Sequence, residues 1–360
     1  MQKIAFTPVL KSRLPETDFS NLPFGHVFSD HMFVCDYIDG AWQNPQVIPF
    51  GDMSISPANM ALHYGQSIFE GIKAQRCVDG EIRVFRPQAN LARLNRSAER
   101  MGMPSIPDEL FFAGLDYLLE VDRDWAPTSD DSSLYIRPVM FAMDGFLGVR
   151  ASDSYRFIIM TGPTGPYYSA PVKLWAEDHF VRASRGGTGS AKAAGNYAGS
   201  IMPAAAVKKR GFDQILWLDG MEYKYLQECG TMNVFAIIGD TIMTPELGDT
   251  ILDGVTRNSL ITLWREQGFK VEERPIDIAE IIAAHKEGTL REFFGVGTAA
   301  VISHVTHIQY KDTLMELPPI SERKISPAMK AYFEDLKAGK VPDTHSWLYQ
   351  PKKVQALANA

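Results

Sequence analysis

Three cysteines in 360 residues, Cys35, Cys77 and Cys229, are too few and too scattered for a disulfide framework, and they form no CxxC pair for zinc. That usage suits a reducing compartment. The chain also lacks any run long and apolar enough to span a bilayer, and it shows no internal repeat or low-complexity tract. Positive charge is not in surplus: 36 Lys and Arg stand against 43 Asp and Glu, a formal net charge of −7. Without a basic field a nucleic-acid partner is disfavoured and a small-molecule site is favoured. The segment from Met1 to Leu10 has no apolar leader core, and Glu16, Asp18 and Asp30 argue against an Arg-rich transit peptide. A cytoplasmic protein is therefore expected.

What is present is ordinary for a globular chain: 45% hydrophobic and 22% charged residues, with a mean hydropathy of −0.13. The length favours two domains over one. Asp39-Gly40, Asp79-Gly80 and Asp219-Gly220 each follow a β-branched or aromatic run, and each suits the positive φ of a hairpin turn. The expected strand partners are 33–38, 68–75 with 82–85, and 215–218 with 223–226, so antiparallel strands fall in both halves. Helical spacing appears at 87–101, where Leu91, Leu94 and Ala98 share a face before Gly102, and at 108–121. Further helices are expected at 197–210, 255–267, 276–285 and 327–336. Glycines and prolines in 161–171 interrupt strand-like runs on both sides, which marks an interdomain segment.

Lys192 lies in Gly186-Gly187-Thr188-Gly189-Ser190-Ala191-Lys192-Ala193-Ala194-Gly195-Asn196-Tyr197. A lysine near glycines is ordinarily a solvated loop residue. Its companions change that reading, because they match the four demands of a pyridoxal phosphate enzyme. An amine able to lose its charge is offered by Lys192. A carboxylate to face the pyridine nitrogen is offered by Glu228, otherwise a surface strand residue. Gly254-Val255-Thr256, opening a helix, offers backbone N–H groups for a phosphate, although a glycine turn capped by threonine explains the same residues. Arg93 can add a guanidinium, and Tyr197 can reach the phenolic oxygen; their ordinary readings are a solvated helix face and packing.

With these residues in view, the chain resembles the branched-chain aminotransferases of the class IV, D-alanine-aminotransferase-like pyridoxal phosphate enzymes. The run from Glu228 through Asn233, Phe235, Thr244, Leu252, Gly254 and Val255 to Arg257 resembles the signature of the whole class. The lysine segment and His63-Tyr64-Gly65-Gln66-Ser67-Ile68-Phe69-Glu70-Gly71-Ile72-Lys73-Ala74 resemble the branched-chain group. Phe85-Arg86-Pro87, Tyr135-Ile136-Arg137-Pro138 and Phe294-Gly295-Val296-Gly297-Thr298-Ala299 extend the likeness from about residue 30 to about residue 310.

The resemblance implies a mixed α+β, two-domain fold. A smaller N-terminal α/β domain would cover 1–162, an interdomain loop 163–175, and a larger β-rich pseudo-barrel domain 176–360. It also implies that Lys192 holds pyridoxal 5'-phosphate as a Schiff base, that Tyr197 bonds the ring oxygen and that Glu228 pairs with the ring nitrogen. Arg93, Val255, Thr256 and Thr298 would hold the phosphate, with Thr231 and Gly254 also at the cofactor. The substrate α-carboxylate would sit at Thr298-Ala299. Tyr64, Phe69, Tyr135 and Tyr167 would wall an apolar pocket, with Arg137 meeting the second carboxylate of glutamate or 2-oxoglutarate. Leucine, isoleucine or valine would be the amino donors. Phe146-Leu147-Gly148-Val149 resembles a loop that completes the pocket of the other subunit, which implies a homodimer. Ala300 and Ser303 stand where some relatives carry a redox CxxC, so thiol regulation is not expected there; Cys229 reads as packing.

Gly295-Val296-Gly297-Thr298-Ala299-Ala300 superficially fits a dinucleotide fingerprint, but the β-branched run that follows reads as a strand where that motif needs a helix. A P-loop around Lys192 has the wrong spacing, with Ala193 in place of Ser or Thr. His304 and His307 lack the companions of a metal site. Two alternatives stay open. One is another class IV activity, such as a D-amino-acid or (R)-amine aminotransferase or an aminodeoxychorismate lyase; the other is a non-catalytic pyridoxal phosphate-binding protein.

Overall fold

The computed structural model describes residues 3–129, 131–165 and 170–354. It divides into two compact units: residues 1–167 with 192–194 and 335–360, and residues 168–191 with 195–334. The first holds β1 (Ala5–Phe6), β2 (His31–Ile38), β3 (Ala41–Pro49), α1 (Met60–Tyr64), β4 (Ser67–Phe69), β5 (Ile72–Arg76), β6 (Ile82–Phe85), α2 (Pro87–Arg100), α3 (Asp108–Val121), β7 (Ser133–Ala142) and β8 (Tyr155–Thr164). In the second are β9 (Val172–Glu177), α4 (Gly195–Ala198), α5 (Ile201–Lys209), β10 (Gln214–Leu218), β11 (Leu226–Cys229), β12 (Met232–Ile238), β13 (Thr241–Thr244) and α6 (Val255–Glu266). There follow β14 (Lys270–Glu273), α7 (Ile278–Lys286), β15 (Leu290–Gly297), β16 (Val301–Tyr310), β17 (Thr313–Glu316) and α8 (Ile325–Lys337); β18 (Leu348–Tyr349) belongs to the first unit.

The first unit is built on a sheet ordered β1-β3-β2-β8-β7-β5-β6-β18, with β4 added on β7. Asp39 and Gly40, at φ of 51° and 77°, make the tight β2–β3 turn that the dipeptide predicts. The apolar stripe of α3 buries Leu110, Phe111, Leu115 and Leu118. On the sheet side Phe33 and Phe157 are fully buried and meet Phe111 in a ring cluster. On α2 the predicted face is the buried one, since Leu91, Leu94 and Ala98 are all inside. Arg93 shares that face, and this is where a solvated reading of the arginine fails.

In the second unit the order is β11-β10-β9-β16-β15-β12-β13-β14, with β17 on β16. An added β11–β12 pairing returns the path to its start, so β11, β10, β9, β16, β15 and β12 close a ring with no free edge among them. This is the β-rich closed architecture expected of the C-terminal half. Its core gathers alternate residues of these strands with Ile278, Ile281 and Ala284 of α7. α6 anchors separately: Trp264 is fully buried against Phe235 and Phe294, at centroid distances of 5.3 and 5.9 Å.

Three sequence expectations shift in detail. Helix 197–210 is broken into α4 and α5, with Ser200 bonding back to the Tyr197 carbonyl through both its N–H and its hydroxyl. The strand after Asp219-Gly220 begins at Leu226, because the Asp219 carboxylate gathers the N–H groups of Met221, Glu222, Lys224 and Tyr225 into a wider loop. β8 runs on through Gly162 and Pro163, where a Cβ on Gly162 would lie 2.1 Å from the Val27 carbonyl oxygen. The Gly162-Pro163 composition there reflects a close backbone approach, and residues 166–169 of the expected 161–171 segment lie outside the described residues.

Candidate functional site

Residues 192–194 pair with the first unit, and their geometry starts at β4. Ala193 bridges Ile68, the Phe69 N–H donates to the Lys192 carbonyl at 3.1 Å, and the Ala194 N–H donates to the Ser67 carbonyl at 3.0 Å. The Lys192 N–H is accepted by the Ser97 hydroxyl of α2 at 2.9 Å. The ammonium nitrogen lies 5.0 Å from the Phe69 ring centre. The lysine backbone is thus tied to β4 by an isolated bridge and two backbone bonds.

Beside it lies a buried ion pair. Glu70 is fully buried, and its carboxylate accepts from Arg93 Nε at 2.7 Å, Arg93 Nη2 at 2.8 Å and Asn90 Nδ2 at 2.8 Å. Burial pushes the Glu70 carboxyl up; Arg93, followed by Lys192, outweighs it and holds the group below its ordinary value. Arg137 of β7 is stacked on apolar rings, its guanidinium carbon 4.7 Å from the Phe69 centroid and 5.2 Å from that of Tyr135. Its Nη2 donates to the Tyr135 hydroxyl at 2.9 Å, while its Nε is buried with no hydrogen-bond partner. Lys192, Phe69, Arg93, Tyr135 and Arg137 thus fall in one unit. Tyr64, at the exposed end of α1, is 42% accessible, and Tyr167 lies outside the described residues.

In the second unit Glu228 of β11 faces Asn233 of β12 as its cross-strand partner. Together they grip Leu252: its N–H donates to Glu228 Oε1 at 2.8 Å, and its carbonyl accepts from Asn233 Nδ2 at 2.9 Å. Two residues on, Gly254 precedes α6 with no side-chain cap, and a Cβ there would fall 2.0 Å from Asn233 Oδ1. The glycine therefore lets the helix start approach the strand, and Val255 and Thr256 are buried at its first turn. Asn233 also pairs with Val296 of β15, so the turn at residues 298–300 leaves from the next strand of the same row. Val301 closes that turn at φ of 59°, a costly conformation for a β-branched residue. Thr231 is exposed at the β11–β12 turn, and Tyr197 is half-buried on α4.

Arg182 was not singled out from the sequence. Its Nη2 lies 3.2 Å from Glu228 Oε1 and also donates to the carbonyls of Gly189 and Thr250. Its Nε is buried without a partner. Nothing local in the sequence marks it, because the pairing joins strand β11 to a loop distant along the chain. Gly189 is explained by the same corner: a Cβ there would sit 2.5 Å from the Ala183 Cβ and 2.8 Å from the Asp249 carbonyl oxygen.

Cys229 is fully buried and its thiol is pushed well above its ordinary value by burial and then by Glu228, which fits a packing role. Residues 301–310 form a strand, as the rejection of a dinucleotide motif required. Among the described residues no group of three or more His, Cys, Asp or Glu could hold a metal ion, and no helix is long and apolar enough to cross a membrane.

The residues present fit a phosphorylated, electron-withdrawing ring. In the second unit they comprise an uncapped helix start and a buried carboxylate braced by Arg182, whose Nε is buried with no hydrogen-bond partner. Comparison with known proteins agrees. The family described as amino-transferase class IV matches residues 67–308. Branched-chain-amino-acid aminotransferase 2 of Bacillus subtilis (strain 168) is 44% identical over 340 residues, covering 93% of this chain and 94% of that protein. A branched-chain-amino-acid aminotransferase of Mycolicibacterium smegmatis is 42% identical over 342 residues, covering 92% and 93%. Among solved structures, a branched-chain aminotransferase of Thermoproteus uzoniensis with norvaline superposes with a TM-score of 0.74 at 25% identity, covering 89% of this chain and 100% of that one. A second solved branched-chain amino acid aminotransferase, from T.th. and complexed with N-(5'-phosphopyridoxyl)-L-glutamate, gives 0.71 at 22% identity, covering 88% and 98%, a likeness of fold.

Proposed function

The chain belongs to the class IV aminotransferases, and from that membership we propose that it uses pyridoxal 5'-phosphate to move the amino group of L-leucine, L-isoleucine or L-valine to 2-oxoglutarate. The observation that carries the substrate reading is Arg137 lodged against the rings of Phe69 and Tyr135. One pocket must take an aliphatic side chain in one half-reaction and a carboxylate in the other. A cation lying on aromatic faces serves both, since the rings supply apolar area and the guanidinium meets the second carboxylate. Tyr64 and Tyr167 would add to the apolar wall.

When bound, the cofactor supplies an electron sink for the bond broken at the substrate α-carbon. The remaining work belongs to the chain. Lys192 would offer the amine that holds the cofactor and a base for the substrate α-proton. Glu228, oriented by Leu252 and Arg182, would hold a proton on the ring nitrogen. By the family resemblance Arg93, Thr231, Thr298 and the first turn of α6 at Gly254, Val255 and Thr256 would hold the phosphate, and Tyr197 the ring oxygen. The 298–299 turn receives the substrate α-carboxylate.

A second copy of the chain belongs to this reading. Phe146, Leu147 and Val149 expose 45%, 65% and 88% of their surface, and this strip would complete the pocket of a neighbour. Sedimentation should give twice the 40.2 kDa of one chain, and a monomer would remove this part.

A panel of L- and D-amino acids assayed with 2-oxoglutarate tests the whole. Turnover should concentrate on the three branched L-substrates; D-selective turnover, or none, would sink the reading. Arg137→Ala should lower kcat/KM on the order of ten- to a hundred-fold for 2-oxoglutarate and much less for leucine, matching one charge-assisted contact. Equal losses would argue against the rim cation.

A further inference from the structure

The Ser97 hydroxyl joins two elements of the first unit. It lies on the buried face of α2 at 1% exposure. It donates to the Arg93 carbonyl one turn back, at 3.0 Å, as helix serines often do. Its unusual bond is the second one, in which it accepts the Lys192 N–H at 2.9 Å from a segment distant in sequence.

The bonds on the page close a circuit. From Lys192 N–H the path runs to Ser97, through Arg93 to its guanidinium, across to the Glu70 carboxylate, along one peptide to Phe69, and from the Phe69 N–H back to the Lys192 carbonyl. Both polar backbone groups of the lysine are thereby tied to one buried ion pair. Glu70 is itself fixed by Asn90 and by its own N–H donating to the Pro138 carbonyl.

We propose that Ser97 is a positioning residue for Lys192, its hydroxyl holding the lysine backbone in register with the Glu70–Arg93 pair so that amine and phosphate-binding guanidinium are presented together. The proposal rests on the reading of Lys192 as the cofactor lysine. Ser97 touches no reacting atom; it acts through the peptide N–H of the residue that does. A reactive group needs such support because a displacement of about 1 Å can cost on the order of a hundred-fold in rate.

The test uses the full chain stripped of cofactor, then mixed with pyridoxal phosphate. Condensation of the Lys192 amine with the aldehyde, with loss of one water, is followed by absorbance, and the linkage is fixed by borohydride and mapped by peptide mass. Ser97→Thr and Ser97→Val are compared, since they are nearly equal in volume and differ in the hydroxyl. Ser97→Val should slow attachment on the order of ten-fold and lower kcat more than it raises KM, while Ser97→Thr stays near the rate of the unaltered chain. Thermal midpoints of the two cofactor-free variants should agree, which separates placement from folding. Ser97→Ala repeats the test without added bulk. Equal attachment rates for Thr and Val, or an Ala variant as fast as the unaltered chain, overturn the role of Ser97 alone. If the unaltered chain itself forms no linkage at Lys192, the functional reading falls and this proposal with it.

Discussion

Glu228 stays buried at 3% exposure because its carboxylate is already claimed by the Leu252 N–H and by Arg182. Those partners hold the carboxylate in place, as a counter-charge to a ring nitrogen would have to be held. Glu228→Gln keeps an oxygen for the Leu252 N–H and loses the charge. Turnover should therefore fall on the order of a hundred-fold while the melting temperature moves little; steady-state kinetics beside calorimetry would show this, and full activity would remove the assigned role. At this scale the residue types were legible in sequence and their partners were not. Lys192, Glu228 and Arg93 stand in recognisable runs, whereas Arg182 and Ser97 make contacts between segments that no local spacing records.

At the scale of elements, the start of α6 is set by its neighbours. α6 starts where it does because Asn233 grips the Leu252 carbonyl and leaves no room for a side chain at residue 254. Gly254→Ala should destabilise the chain by about 1–3 kcal/mol in urea denaturation, as overpacking does, and should weaken retention of pyridoxal phosphate. In an Asn233→Ala background the added methyl finds space, so the cost of Gly254→Ala should shrink; costs that simply add would show that the close contact is not the cause. Helices α2, α3 and α6 lie close to where periodicity puts them, because each buries one continuous stripe. The α4–α5 break and the late start of β11 escaped periodicity, since local side-chain and backbone bonds at Ser200 and Asp219 decided them.

For the molecule as a whole, His304 gives stability a pH dependence. Burial, then the charges of Arg323 and Lys330, hold it down at about 4 from an ordinary 6.5, with Glu292 opposing. Between those values the unfolded chain binds a proton that the folded one refuses, so stability rises with pH across that window and is lost on acidification. The melting temperature should drop by roughly 2–4 °C for each kcal/mol lost. His304→Gln should flatten the profile between pH 6.5 and 4, and an unchanged slope would assign the effect to other groups. Asp144, held near 2 against burial by N–H and hydroxyl donors, adds a loss of the same sign at lower pH. The sequence by itself determined most helices and the Asp39-Gly40 hairpin, because period and turn chemistry are properties of neighbours along the chain, and its motifs carried the family resemblance. Only the tertiary structure decided the closed ring of strands, the clamping of Lys192 onto β4, and the charges that flank Glu228 and Glu70. Strand closure and burial bring together residues far apart in the chain, and the energy of a buried charge depends on which of them arrive.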